Sequence, residues 1–204
     1  MLCGGSSLRM GRPKSHLRIR SKSLLENTLD TLQGAGCQSL AVAASSRHPL
    51  PDLGIHKSNI ILSFDNNEGQ GPLAGLEAGL SSLHPHTPWA CVVPCDLPCL
   101  HPKALVHLLQ KAWEEGGPAV TILRQGDRIN PLIGVFPTAW HQRAYSLIAS
   151  GRFRADSLLD GVPDLRCLQV SATDPVWQDC DTPADFTALE RLVEPPSNPG
   201  GKPV

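Results

Sequence analysis

Segments that read as buried strands alternate with segments that read as helices along most of this chain. No other feature constrains its fold as tightly. Ser39 to Ala44, Asn59 to Phe64 and Trp89 to Val93 are short apolar runs of strand type. Ala119 to Leu123 and Leu132 to Phe136 are two more, around a Gln125-Gly126-Asp127 turn. Between them, Ser23-Leu-Leu-Glu26 has the pattern of a capping box, and Leu24, Leu25, Leu29 and Leu32 follow at helical spacing. Gly34 and Gly36 end that helix. Further helices are expected over Pro72 to Leu83, Pro102 to Glu115, Thr138 to Ala149 and Pro183 to Val193, the last capped by Thr182. The pattern predicts an α/β fold with a mostly parallel sheet. The 204 residues suit one domain over 1–193, and the Pro/Gly-rich stretch 194–204 is expected to be disordered.

In such sheets ligands sit at the carboxyl ends of the strands. The first strand-end loop is Leu2-Cys-Gly-Gly-Ser-Ser-Leu-Arg-Met-Gly-Arg-Pro-Lys14. Its glycines let the backbone approach a ligand closely, its N–H groups can form a concave anion site, and its basic side chains can neutralise phosphate oxygens. Arg9, Arg12, Lys14, Arg18, Arg20 and Lys22 precede the first carboxylate, Glu26, while the whole chain carries a net charge of only -1. Positive charge confined to one loop suits a small polyanion better than a nucleic acid, which needs a broad basic face. Neither the P-loop nor the Gly-x-Gly-x-x-Gly fingerprint is present. Only Met1 and Leu2 precede Cys3, so the first strand is expected to be truncated and to pair weakly at the centre of the sheet.

The other strand ends carry carboxylates. Asp65 follows Asn59 to Phe64. Asp96 lies in Pro94-Cys-Asp-Leu-Pro98, where flanking prolines stiffen the loop. Asp179 and Asp181 precede the last helix. Carboxylates beside a polyphosphate need a cation between them, and Mg²⁺ held by one or two carboxylates plus phosphate oxygens is the common solution. Asp96 is the strongest metal candidate. Asp179 and Asp181 can equally be read as an ordinary helix start. Gly69-Gln-Gly-Pro-Leu-Ala-Gly75 is a second glycine-rich turn, which could face a base or ribose or simply permit tight packing. The eight histidines show no ligand spacing on one helix face.

Other properties narrow the class. Seven scattered cysteines read as reduced thiols of a cytoplasmic protein. No apolar run reaches the ~20 residues of a membrane span, and no signal peptide is expected.

These motifs, in this order, resemble the nucleotidyltransferase family that includes molybdenum cofactor guanylyltransferase, from Leu2 to about Val193. The opening loop is similar to that family's Leu-x-Gly-Gly-x-Ser-x-Arg-Met-Gly-x-x-Lys signature. Gly71-Pro-Leu-Ala-Gly75, Pro94-Cys-Asp-Leu-Pro98, Asn130-Pro-Leu132 and Asp181-Thr-Pro183 are similar to its later motifs. The resemblance implies a Rossmann-like three-layer α/β/α sandwich and transfer of GMP from GTP to the phosphate of molybdopterin, releasing pyrophosphate. It implies nucleotide contacts from Leu2, Cys3, Gly4, Gly5 and Asp65, and phosphate contacts from Lys14. It implies Mg²⁺ on Asp96, with Asp179 or Asp181 as second ligand. Lys14, Arg9 and Asp96 would be the catalytic groups, and Arg152 and Arg154 could bind the acceptor's phosphate. GTP or another NTP, molybdopterin, and transient contacts with other molybdenum cofactor proteins are the implied partners, with neither nucleic acid nor membrane. Another NTP, a sugar or polyol phosphate as acceptor, and a non-catalytic nucleotide-binding module remain open at this point.

Overall fold

The computed structural model describes residues 1–4, 10, 13–46, 50–53, 60–64, 71–114 and 116–193. Strands β1 (Leu2–Cys3), β4 (Leu40–Ala44) and β5 (Ile60–Phe64) pair in parallel in the order β1-β4-β5. Strands β6 (Trp89–Val92), β7 (Thr121–Gln125), β8 (Arg128–Pro137) and β9 (Arg166–Val170) pair in the order β6-β8-β7-β9. A parallel bridge between Leu2 and Pro94, just past β6, joins the two sets. β8 is antiparallel to both β6 and β7, so it alone runs against an otherwise parallel sheet. Strands β2 (Arg18–Ile19) and β3 (Lys22–Ser23) form a separate hairpin.

Helices cover both faces, which is why the central strands are apolar throughout. On β4, all five residues are buried. Leu40, Val42 and Ala44 face the core formed with α1 (Leu24–Gly34) and α3 (Pro102–Ala112). Ala41 faces the core formed with α2 (Pro72–Leu83) and α4 (His141–Ala149). Period-2 alternation thus feeds two layers. The α1 capping box forms as the sequence predicts: Ser23 Oγ accepts from the Glu26 N–H at 3.2 Å, and the Ser23 N–H donates to Glu26 Oε2 at 2.7 Å. Burying Leu24, Leu25, Leu29 and Leu32 contributes about 1.5–3 kcal/mol each.

The sheet departs from expectation in three places. β1 is short, yet it keeps its central position: the Ala43 N–H donates to Met1 O at 2.9 Å, the Leu2 N–H to Val93 O at 2.9 Å, and the Cys95 N–H to Leu2 O at 3.0 Å. The strand expected at 132–136 is longer and bulged. Ile122 pairs with Gly134 and Leu123 with Asn130, so Pro131, which has no N–H to donate, falls in the bulge. A side chain at Gly134 would run into Thr121 O. Finally, β9 and the β2–β3 hairpin had no strand signal. Arg166 and Gln169 interrupt the apolar pattern of β9, and the hairpin strands have two residues each.

Helix α5 (Pro183–Val193) matches its expected span; Glu115 of the expected third helix and the stretch 194–204 lie outside the described residues. Among the described residues no helix is long and apolar enough to cross a membrane.

Candidate active site

Three segments meet beyond the carboxyl ends of β1 and β6. The first is a single 3-10 turn, Lys14–His16, started by Pro13 in extended conformation. Ser15 and Leu17 behind it are buried. Leu17 joins Ile19, Leu24, Cys180 and Leu189 in a satellite core beneath the site. The second segment is the loop after β6. Cys95 and Leu97 point into the main core, which turns Asp96 between them outward. The third is the turn before α5, where buried Cys180 anchors the chain between Asp179 and Asp181. The Cys180 N–H donates to Asp96 O at 3.1 Å and ties the second and third segments together. Thr182 and Asp185 cap α5 reciprocally: the Thr182 N–H donates to Asp185 Oδ2 at 2.8 Å, and the Asp185 N–H to Thr182 Oγ1 at 3.2 Å. Those bonds hold the Asp185 carboxyl below the usual aspartate range.

Lys14 is the centre of the constellation. Its Nζ lies 2.6 Å from Asp96 Oδ2 and 2.5 Å from Asp181 Oδ1. Burial works against the ammonium, but the Asp96 charge and the hydrogen bonds to Asp181 and Asp96 outweigh it, and its pKa rises above the ordinary lysine value. Asp96 Oδ1 is buried and has no hydrogen-bond partner among the described residues. Asp179 sits at the exposed rim. Desolvation, then the charges of Asp181 and Asp96, raise its carboxyl above the usual value. Among the described residues no three His, Cys, Asp or Glu side chains form a ready cage for a metal. The cation that bridges Asp96 and Asp181 here is the Lys14 ammonium.

Of the residues singled out from sequence, Lys14, Asp96 and Asp181 are in direct contact, and Asp179 adjoins them. Leu2 and Cys3 form the neighbouring strand end. The main chain of Leu2 is committed to the sheet, while Gly4 is exposed, with nothing within 4 Å of where a Cβ would stand. Gly5, Arg9 and Asp65 lie outside the described residues. The second glycine motif starts α2, which packs against β1, β4 and β5. Gly71 has φ +78°, and a Cβ there would lie 2.8 Å from Phe153 O, so glycine is required for α2 to start against the Arg152-Phe153-Arg154 segment. Arg152 pairs with Asp160, and Arg154 with Asp156 at 2.5 Å. Sequence reading missed the supporting groups: Cys180, which anchors the acidic turn, and Asp185, which completes the cap. The Thr-x-x-Asp spacing was a visible signal for the cap; nothing in the sequence pointed to Cys180.

A mostly parallel α/β sheet with a glycine loop leaving its central strand, and a lysine–carboxylate cluster at the adjoining strand end, has the layout of a nucleotide-handling domain. The chain belongs to the MobA-like NTP transferase domain family, whose profile matches residues 1–165. A "Probable molybdenum cofactor guanylyltransferase" of Carboxydothermus hydrogenoformans is 30% identical over 201 residues, covering 94% of each chain. One of the same description from Opitutus terrae is 29% identical over 138 residues, which is 67% of this chain and 64% of that protein. The crystal structure of molybdopterin-guanine dinucleotide biosynthesis protein A from Archaeoglobus fulgidus has the same fold, with a TM-score of 0.69 at 20% identity, covering 94% of this chain and 96% of that one. The motif resemblance and the fold class expected from sequence are both borne out.

Proposed function

We propose that this chain transfers GMP from GTP to the terminal phosphate of molybdopterin, with release of pyrophosphate. The observation that carries the reading is Asp96. One of its oxygens is held by Lys14 and the other is buried without a partner, at a strand end next to the exposed Gly4. The names of the relatives support the choice of nucleotide and acceptor.

Mg²⁺ fits this donor set. The buried Asp96 Oδ1 would be one ligand, with Asp179 or Asp181 as the second, in keeping with the one or two carboxylates that commonly hold Mg²⁺ beside substrate phosphates. When bound it would draw charge from the phosphate oxygens and favour departure of pyrophosphate.

The chain's own residues do the positioning. Before substrate enters, Lys14 neutralises Asp96 and Asp181 and holds their loops together. With the triphosphate bound, Lys14 turns its ammonium to the phosphates and frees the carboxylate oxygens. The N–H of Gly4 helps to cradle the nucleotide; the roles that the resemblance implies for Gly5 and Asp65 at the nucleotide, and for Arg9 on the leaving group, fall on residues outside those described. An oxygen of the acceptor phosphate attacks the α-phosphorus as the bond to pyrophosphate breaks. Alignment and charge neutralisation supply the rate.

The test is pyrophosphate release with molybdopterin, Mg²⁺ and each of the four NTPs in turn. Turnover with GTP alone is the expected result. Turnover with none, or GTP binding without turnover, would overturn the proposal.

A further inference from the structure

All seven cysteines are free thiols, and two of them, Cys3 and Cys95, lie side by side under the active-site turns. The main chain sets their pairing. The Leu2 N–H donates to Val93 O at 2.9 Å, the Cys95 N–H donates to Leu2 O at 3.0 Å, and Leu2 bridges Pro94 in parallel register. One residue further along, each segment presents a cysteine, and in-register residues of parallel neighbours point to the same face. Adjacent strands lie ~4.8 Å apart, inside the ~4.4–6.8 Å window of Cα separation that a disulfide spans. The two side chains pack in the same apolar cluster. Cys3 is half-buried and next to exposed Gly4, whereas Cys95 is buried, so a solvent-borne oxidant meets Cys3 first. Cys99 and Cys180 belong to the separate satellite core, and Cys99 donates to Leu189 O.

We propose that Cys3 and Cys95 are a reversible oxidation site that a hydroperoxide converts to an intramolecular disulfide. The Cys3 sulfur attacks one peroxide oxygen and the O–O bond breaks. The other oxygen leaves as water or alcohol, taking the thiol proton, and Cys3 becomes a sulfenic acid. The Cys95 sulfur then attacks the Cys3 sulfur. The S–O bond breaks, and the hydroxyl leaves as water with the Cys95 proton. The two thiols together lose two electrons and the peroxide gains them. A dithiol reductant reverses the step by exchange. The cross-link joins the residue before Gly4 to the residue before Asp96, so it fixes the spacing of two turns that hold the nucleotide. That consequence rests on the proposed function; the disulfide itself does not.

The test uses the full chain treated with hydrogen peroxide, blocked with an alkylating reagent, and digested without reduction for mass mapping. The expected result is a Cys3–Cys95 cross-linked peptide, loss of two alkylatable thiols, and their recovery with dithiothreitol. The cross-linked peptide should be absent in Cys95→Ala. The inference fails if Cys3 and Cys95 stay alkylatable at a dose that oxidises other cysteines. It also fails if the disulfide that forms pairs different residues. The mapping needs no turnover, so its outcome is independent of whether GTP is the substrate.

Discussion

Two regions of this molecule bring basic and acidic side chains together, and they do so for different reasons. In the turn around Lys14, the lysine and Asp96 side chains are only 17% and 16% exposed, and three segments distant in sequence converge. In the loop around Phe153, Arg154 is 83% exposed and its partner Asp156 is two residues away. A local pair in water is worth little, because solvent screens it and side-chain entropy opposes it. A cluster whose central pair, Lys14 and Asp96, is shielded while Asp181 stays half-exposed is different. Its charges are costly to gather, and one cation holds two carboxylates while a third stands nearby. The clustered region therefore has the signature of a site built for something other than stability. The loop region contributes through its backbone, where Phe153 O closes on Gly71.

Asp96→Asn should break the comparison most decisively. It keeps the volume but removes the charge that faces Lys14 and the proposed Mg²⁺. The rate of transfer should fall at least ~100-fold, ~2.7 kcal/mol of barrier, with the far-ultraviolet spectrum unchanged. Gly71→Ala comes next and acts on the other region. Positive φ and the close approach to Phe153 O together should cost ~2 kcal/mol, read as a drop in melting temperature of several degrees. Lys14→Ala should lower the rate ~10-fold, ~1.4 kcal/mol. It should also lower the melting temperature, because it leaves Asp96 and Asp181 facing each other without a cation. Adding Asp181→Asn should restore part of that loss; strict additivity would mean the two carboxylates do not interact through Lys14.

Much of the layered fold could be read from sequence because its signals are local. Ser23 and Glu26 announce the start of α1, and the alternation of β4 announces burial on both faces. The strand ends then place Asp96 and Asp181 on one rim. What escaped depends on tertiary pairing. β9 is an edge strand interrupted by Arg166 and Gln169, held by β7 rather than by its own pattern. The hairpin turns at Arg20, whose φ of 56° no residue type advertises, and whose guanidinium donates to Val193 O at the end of α5. The ion-pair partners of Lys14 could not be read either, since Asp181 is 167 positions away along the chain.

The pH dependence of the cluster sharpens the comparison with a smaller effect. The Asp179 pKa is raised above 3.8 in the folded state. Below 3.8 it is protonated in both folded and unfolded chains and costs nothing. As pH rises past that value the unfolded chain ionises first, so this group's contribution falls with rising pH and stays low at neutrality. Asp179→Asn should therefore raise the melting temperature at pH 7, and the gain should vanish in acid. Lys14 has the complementary behaviour. Its pKa is raised above 10.5, so its stabilising contribution is complete below that value and is lost only as pH climbs through the folded-state pKa. No change from Lys14 is expected across the neutral range.

The smallest effect is expected at Arg152. Its partner Asp160 is exposed, and both belong to the same stretch of chain. Arg152→Ala should move the melting temperature by less than ~2 °C, as for other exposed pairs. The same variant separates two roles for the loop. If Arg152 leaves Asp160 to meet the acceptor phosphate, KM for molybdopterin rises while KM for GTP and the melting temperature hold. If all three hold, the loop's contribution is the backbone contact to Gly71 alone. In that case chemistry in this molecule is confined to the shielded cluster at the ends of β1 and β6.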